Sequence, residues 1–283
     1  MTIRMGGIFG FRFDIDSEKC LRDGVPNIIR IGRKTGARFT FFASMGRAVS
    51  IPHMFMNSRT REGAGPDVKR LSALQKLGPL DFFKTAVFNP LIGARYAGIL
   101  REAWEAGHEI ALHGGKNHGS WAAAMPGWDR ARIENEIDWA MDRLARAGID
   151  GGITGFASPC WRDSPALYEV LRARGFKYTS NVASESEDAV SLLHNLVSVP
   201  VNICGQPGRV AYIEHKRAQD MNDPEVLADF EMNLEKHAAL AVAFEHPYYA
   251  GTRESGLLEK LLQKAADSGR RAVTLREIAS GSG

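Results

Sequence analysis

The stretch Ile8 to Glu18, IFGFRFDIDSE, decides how the chain is read. Residues Ile8 to Asp16 alternate as a strand does: Phe11, Phe13 and Ile15 share one face, Arg12, Asp14 and Asp16 the other. A helix is predicted directly after it, from Ser17 to Lys34, with Gly36 as its stop. Pro26 falls inside that span, so its first turns are expected to be separate. Asp14 and Asp16 point the same way at the C-terminal end of the strand, where barrel active sites are built. Two carboxylates on one face of a buried strand repel each other and resist desolvation, which a cation or a raised pKa resolves. The alternative for the pair is a helix N-cap beside a solvated Asp.

Outward from this stretch, strand and helix signals alternate. Strands are predicted at Arg38–Ser44, His108–His113, Ile153–Ala157, Phe176–Ser180, Leu196–Asn202, Val210–Glu214, Leu240–Glu245 and Ala272–Thr274. Helices are predicted at Ala94–Ala106, Asp129–Ala147, Ser164–Arg174 and Leu257–Asp267. The clearest is Asp129–Ala147, where Asp129 is a plausible N-cap and Ile133, Ile137, Ala140, Met141 and Leu144 form one apolar stripe. Thr274 and Glu277 have capping-box spacing for a last turn. This rhythm predicts an α/β fold, a parallel sheet closed or nearly closed into a single (β/α) barrel. The 283 residues suit one such domain, and no internal repeat divides them.

Val49 to Gly93 breaks the rhythm, being too long for an ordinary connection. A polar, basic part (Arg59, Arg61, Lys69, Arg70 and Lys76 against Glu62 and Asp67) gives way to an apolar one (Leu80, Phe82, Phe83, Val87, Phe88, Leu91, Ile92). Two readings stand: a helical insertion packed on the barrel, or an interfacial flap that touches lipid or a lipid-linked substrate.

Composition excludes some classes. With 44% hydrophobic and 24% charged residues, a sizeable core can be buried. A net charge of +3 without a basic stripe argues against a nucleic-acid partner. Cys20, Cys160 and Cys204 form no paired framework, which fits a reducing compartment. Met1 to Gly10 does not read as a signal peptide, and no run of roughly 18 apolar residues exists. The expected location is cytoplasmic, with peripheral contact at the inner face of the membrane through residues 49–93. Oligomeric state is left open.

Three histidines join the two aspartates. His113 ends an apolar strand, and Gly114 and Gly115 let the chain turn so that His118 can fold back toward it. Imidazoles on a tight loop suit a metal site, with Asn117 as a competing oxygen donor. His246 follows the apolar strand LAVAFE, and Pro247, Tyr248 and Tyr249 can wall a pocket beside it. His108, before its strand, reads as exposed or structural. One Asp and two His with positions open for water describe a facial metal centre. A second Asp can then act as base, and a His from across the barrel as acid. Trp121, Trp161, Tyr248 and Tyr249 either stack on sugar faces or simply pack.

These motifs resemble the polysaccharide deacetylases, the NodB-type proteins of carbohydrate esterase family 4. FRFDIDSE is similar to their first motif, HGGKNH to the second and FEH to the last. Within the family the likeness is greatest to the subgroup that deformylates 4-deoxy-4-formamido-arabinose-phosphoundecaprenol. It rests on Arg12-Phe13-Asp14-Ile15-Asp16 followed by Gly24-Val25-Pro26, and on Phe41-Phe42-Ala43-Ser44 followed by a long insertion. Trp128-Asp129-Arg130 and Cys160-Trp161-Arg162 match in order. The likeness runs from about Phe11 to Ile278. The family spaces its His pair i, i+4; here His118 stands at i+5 and Asn117 at i+4.

The resemblance implies a distorted or incomplete seven-stranded barrel that hydrolyses the amide of an N-acyl amino sugar, carried on polyprenyl phosphate or another glycan precursor. It implies one divalent ion, zinc or else manganese or cobalt, on Asp16, His113 and His118. Asp14 is then the base and His246 the acid. Arg162 steadies Asp14 or binds a substrate phosphate, with Trp161, Trp121 and Tyr248 lining the substrate. Two alternatives are a cyclic-imide or ureide hydrolase on the same fold and a carbohydrate-binding protein that has lost catalysis.

Overall fold

The computed structural model describes residues 7–50, 71–205 and 209–281. The expected first strand, β1 (Ile8–Ile15), lies at the centre of the sheet and is buried along almost its whole length. Parallel neighbours flank it: β8 (Leu240–Glu245) along one side, and on the other β2 (Thr40–Ala43) beside its C-terminal half with the short β9 (Ala272–Val273) beside its N-terminal half. Beyond β2 the order continues through β3 (Glu109–His113), β4 (Gly155–Ala157), β5 (Tyr178–Thr179) and β7 (Leu196–Ser198). β6 (Ser191–Leu193) adds the one antiparallel edge.

The sheet curls far enough that its two ends meet. The chain just after β7 closes the seam: the N–H groups of Asn202 and Ile203 reach Val242 O at 3.2 and 3.0 Å, and Phe244 N–H returns to Ile203 O at 3.3 Å. The Asn202 side chain adds two rungs, donating to Leu240 O and accepting from Val242 N–H, both at 2.8 Å. The predicted α/β barrel is therefore present as a distorted, barely closed one, with nine strands in place of seven among the described residues.

The two faces of β1 have separate fates. Phe9, Phe11 and Phe13 point outward into the larger core, against the helix Val25–Thr35 and the outer helices. Phe11 and Phe13 stack at 4.7 Å, and such ring pairs add about 0.5–1.5 kcal/mol beyond area burial. Gly10, Arg12 and Asp14 take the other face, toward the barrel interior. The interior is filled by Phe42, Trp161, Tyr178, Val242 and Phe244, and at its lower end by Leu275 and Ile278. A side chain at Gly10 would meet Ile278 Cδ1 at 2.8 Å, so the Ile278 side chain would have to shift to admit one.

Most expected helices form within a few residues of their predicted ends. Asp129 caps Arg130–Arg146 by accepting from Arg132 N–H at 2.8 Å, and the Thr274–Glu277 capping box is made. The break expected at Pro26 falls just before it, where a π-helical turn, Cys20–Gly24, hands over to the helix Val25–Thr35. The strand expected at Val210–Glu214 is corrected: Tyr212–Ala218 is a helix, with Tyr212, Ile213, Glu214 and His215 all buried. Where every side of a segment is covered, apolar periodicity does not separate helix from strand. The helix Asp223–Lys236 was not expected, although Asn222, Pro224 and Glu225 are start signals and its capping box is formed.

The insertion is helical where it is described: Ala73–Leu77, Pro79–Val87 and Ile92–Arg95. Arg59, Arg61, Glu62, Asp67, Lys69 and Arg70 lie outside the described residues. Among those residues no helix is long and apolar enough to cross a membrane.

His108 is buried and structural. Its ring stacks on Phe39 at 5.2 Å, and Nδ1 accepts the Phe39 N–H at 3.2 Å. Burial, followed by the charges of Arg33 and Arg38, pushes its pKa down to about 4. The folded protein thus refuses a proton that the unfolded chain accepts below its usual pKa of 6.5. Its contribution is complete above that value and is lost as pH falls toward 4. Urea unfolding at pH 7.5 and pH 5 should show the loss shrinking by about 2 kcal/mol in His108→Phe relative to wild type. Any offset from the lost Phe39 contact is independent of pH; an unchanged difference between the two pH values contradicts the assignment.

Candidate active site

The C-terminal ends of β1, β3 and β8 bring together Asp14, Asp16, His113, His118 and His246, and Asp16 is the hub. Its Oδ1 lies 3.2 Å from His113 Nε2 and 3.3 Å from His118 Nε2, and its Oδ2 lies 3.2 Å from His246 Nε2. One donor atom each from Asp16, His113 and His118 falls within 4.8 Å of the others. Asp16 Oδ1 and His118 Nε2 are buried and accept or donate no hydrogen bond among the described residues. A carboxylate and two imidazoles converging in this way fit a divalent first-row ion.

Local structure explains how these groups arrive. His113 closes β3, and its Nδ1 hydrogen-bonds to Ala157 O at 2.8 Å, which leaves the Nε2 lone pair aimed at Asp16. Gly114 then turns the chain at φ +73°, where a Cβ would sit 2.7 Å from Pro159 Cγ. His118 opens the helix His118–Ala124, its own N–H anchored on Arg47 O at 2.8 Å. Asn117 is the N-cap of that helix: Oδ1 accepts Ser120 N–H at 2.8 Å and Nδ2 donates to Val49 O at 2.9 Å. The amide oxygen is committed there, so the structure brings His118 and not Asn117 to Asp16.

Charge follows the geometry. Burial would raise the Asp16 carboxyl, but His118 and His113 together hold it well below the usual carboxylate range. Burial lowers His118, and Asp16 outweighs it, so the imidazole is pushed up. A metal ion competes with protons for these same lone pairs.

Asp14 is held by Arg12, two residues back on the same strand. The guanidinium grips the carboxylate through both oxygens, Nε to Oδ1 at 2.7 Å and Nη2 to Oδ2 at 2.6 Å. Arg12 also donates to Ser180 O and lies over the rings of Trp161, at 4.4 Å, and Phe42, at 4.7 Å. Arg162, expected as one candidate to steady Asp14, instead donates from Nε to Ala122 O at 2.9 Å. The one signal for Arg12 was its place on the polar face of β1.

Glu214 orients His246. Its Oε1 accepts from His246 Nδ1 at 2.7 Å and from the Tyr248 hydroxyl at 2.5 Å, and the carboxylate is fully buried. Burial raises the Glu214 carboxyl, but the charges of His246 and Lys76 outweigh it and hold it at about 2. His246 is correspondingly pushed well above its ordinary value: burial opposes, and Glu214 is the largest cause in favour. Beside it, burial and then the Glu214 charge keep Glu245 protonated well above the carboxylate range, where it accepts Ile213 N–H. The sequence held no spacing that pointed to Glu214, because its segment reads as strand.

Two of the expected substrate-stacking residues are corrected. Trp121 is 0% exposed, with Nε1 donating to Ser158 Oγ at 2.7 Å, and Tyr248 is 5% exposed against Glu214. Both pack. Trp161 is nearly buried, its ring over Arg12. Cys160 and Trp161 turn at φ +53° and +59°, a left-handed conformation that side-chain-bearing residues seldom adopt, at the strand end beside the site.

The fold recurs in solved structures. A Mycobacterium smegmatis protein assigned as a polysaccharide deacetylase superposes with a TM-score of 0.64 at 17% identity, over 100% of this chain and 92% of that one. A Pseudomonas aeruginosa polysaccharide deacetylase assignment gives 0.60 at 14% identity, over 96% and 89%. A Bacillus anthracis pseudoenzyme of carbohydrate esterase family 4 gives 0.55 at 12% identity, over 98% and 66%. In sequence, the chain is 28% identical over 183 residues to the protein assigned as 4-deoxy-4-formamido-L-arabinose-phosphoundecaprenol deformylase, ArnD, of Shewanella sediminis. That match covers 62% of this chain and 57% of the relative, little more than half its length. No family model matches the chain. In fold the chain is thus similar to polysaccharide deacetylases of carbohydrate esterase family 4, and in sequence to a deformylase of an arabinose-phosphoundecaprenol.

The Arg12–Asp14 pair is almost wholly buried. Removing one member leaves the other charge uncompensated, at a cost of roughly 3–5 kcal/mol. Denaturant titration of Arg12→Met should show a loss of that order, and Arg12→Met/Asp14→Leu should recover most of it. A single variant as stable as wild type contradicts the pairing.

Proposed function

We propose that this protein is a metal-dependent N-deacylase that hydrolyses the amide of an N-formyl or N-acetyl amino sugar carried on a lipid. The observation that carries the reading is the convergence of Asp16, His113 and His118, with an orphaned carboxylate oxygen and an orphaned imidazole nitrogen, between a buried Asp14 and a carboxylate-bound His246. The pseudoenzyme with this fold is a reminder that the fold alone does not carry the activity. A binding protein needs neither a base nor an acid across such a site, and this chain keeps both with their supports.

Asp16, His113 and His118 would hold the ion, with zinc the first expectation and manganese or cobalt the alternatives. When bound, the ion supplies Lewis acidity toward the amide carbonyl and a lowered pKa for water. The rest is the work of the protein's own groups. Asp14, fixed by Arg12, accepts a proton from water as the new C–O bond forms. His246 carries a proton on Nε2 and donates it to the nitrogen as the C–N bond breaks, since an amide anion is a very poor leaving group. Glu214 keeps that ring charged and aimed. The products are the free amine and formate or acetate.

The lipid carrier is supported by the name of the Shewanella relative and by the insertion. The helix Pro79–Val87 is amphipathic in the unusual sense. Its charged residues face the body of the protein: Asp81 bonds to Arg22 at 3.0 Å, and Lys84 pairs with Glu18. Its apolar residues face solvent, with Leu80 85% exposed, Phe83 60% and Val87 53%, and Phe88 just beyond at 68%. A patch of this kind suits the acyl region of a membrane surface. The reading places the protein peripherally at the inner, cytoplasmic face.

Two experiments test the reading. Elemental analysis should find stoichiometric divalent metal in wild type and in Asn117→Ala, and none in His118→Ala; His118→Ala should also release no acid from a lipid-linked formamido sugar. Metal-free wild type after loading sinks the mechanism. In the second, vesicle co-sedimentation should fall at least several-fold for Leu80→Ser/Phe83→Ser/Phe88→Ser, with kcat on a water-soluble substrate unchanged. Equal sedimentation of the two proteins removes the membrane role.

A further inference from the structure

One cation of the insertion reaches the acid side of the site. Lys76, on the short helix Ala73–Leu77, places Nζ against Glu214 Oε2. Lys76 is partly exposed, whereas Glu214 is completely buried. The two carboxylate oxygens of Glu214 are divided: Oε1 serves His246 and Tyr248, and Oε2 accepts no hydrogen bond other than this ion-pair contact among the described residues.

The same helix and its successor are tied to the body nearby. Lys19 Nζ donates to Leu77 O at 2.6 Å, and Lys19 and Arg22 both meet Asp81. Lys76 is therefore held in place as part of a polar seam, not as a wandering surface side chain. That seam runs directly beneath the apolar patch.

We propose that Lys76 is a positioning residue, which acts through Glu214 to hold the His246 ring in its proton-donating orientation and so makes catalysis depend on the seating of the insertion. The proposal rests on the deacylase reading for its kinetic consequence, though not for its structural one. A buried carboxylate with one oxygen unpaired turns toward whatever donor it can find, and it takes the imidazole with it. Lys76 satisfies the second oxygen from outside the barrel and leaves the first for His246. Since the insertion supplies this ammonium, lifting it from the body withdraws the support from the acid while leaving Asp16, His113 and His118 untouched.

The test compares wild type with Lys76→Met, which keeps the length and loses the charge, and Lys76→Arg, which keeps the charge. On a water-soluble N-acyl amino sugar, Lys76→Met should lower kcat by about tenfold or more, a part of the roughly 10²–10⁴-fold that general acid catalysis contributes, with KM and metal content unchanged; Lys76→Arg should restore much of the loss. In parallel, the low-field Nδ1–H proton resonance of His246 should be present in wild type and Lys76→Arg, and lost or shifted in Lys76→Met. If Lys76→Met has wild-type kcat and an unchanged resonance, the proposal is overturned. A KM effect alone, or a variant that Lys76→Arg does not rescue, also overturns it. If wild type has no deacylase activity at all, the function reading fails, and the resonance alone still decides whether Lys76 positions His246. Should Lys76→Met prove unfolded by circular dichroism, Lys76→Gln replaces it in both arms.

Discussion

A guanidinium and two carboxylates project from alternate positions of one strand into the inside of a barrel, and the rest of the site is an answer to that burden. Arg12 and Asp14 neutralise each other in a bidentate pair. Asp16 cannot share that partner, and three imidazoles converge on it instead, two from the end of β3 and the turn after it and one from the end of β8. Those imidazoles in turn need their far nitrogens fixed, which Ala157 O does for His113 and Glu214 for His246. Each group that solves one electrostatic problem creates the next, until the chain of partners ends at Lys76 near the surface.

This order of dependence separates what was legible in the sequence from what was not. β1, the glycine turn after His113 and the histidine after LAVAFE were visible because each is local: period, turn residue and strand end lie within a few positions of one another. The strand–helix rhythm gave the barrel for the same reason. Arg12 was visible as a member of the polar face but not as Asp14's partner, since an i, i+2 pair on one strand face looks like simple alternation. Glu214 was hidden altogether, as the first turn of its helix is buried on all sides and shows no polar face. Trp121 and Tyr248 misled in the opposite direction: an aromatic beside a motif looks the same whether it lines a pocket or fills the core. Which of Asn117 and His118 reaches Asp16 depended on which one the helix N-terminus had already claimed, and that is a question of backbone geometry.

The insertion joins the two halves of the proposed activity. Its polar side is bound to the catalytic body by Lys19, Arg22 and Glu18, and its apolar side is left to solvent. A surface helix normally does the reverse. Reversal is held here by ion pairs that are partly buried and clustered.

The seam of the barrel is built differently from its walls. Where the sheet meets itself, part of the joint is the amide of one side chain, Asn202, standing in for backbone. A tube sealed by ladders on every side has a circumference fixed by its strand count and stagger. A tube sealed in part by a side chain has a clasp: one substitution at Asn202 removes two of the rungs and leaves the joint to the three backbone bonds beside it. The firmness of the joint is thus tuned by one residue, while the strands that carry the site keep their register.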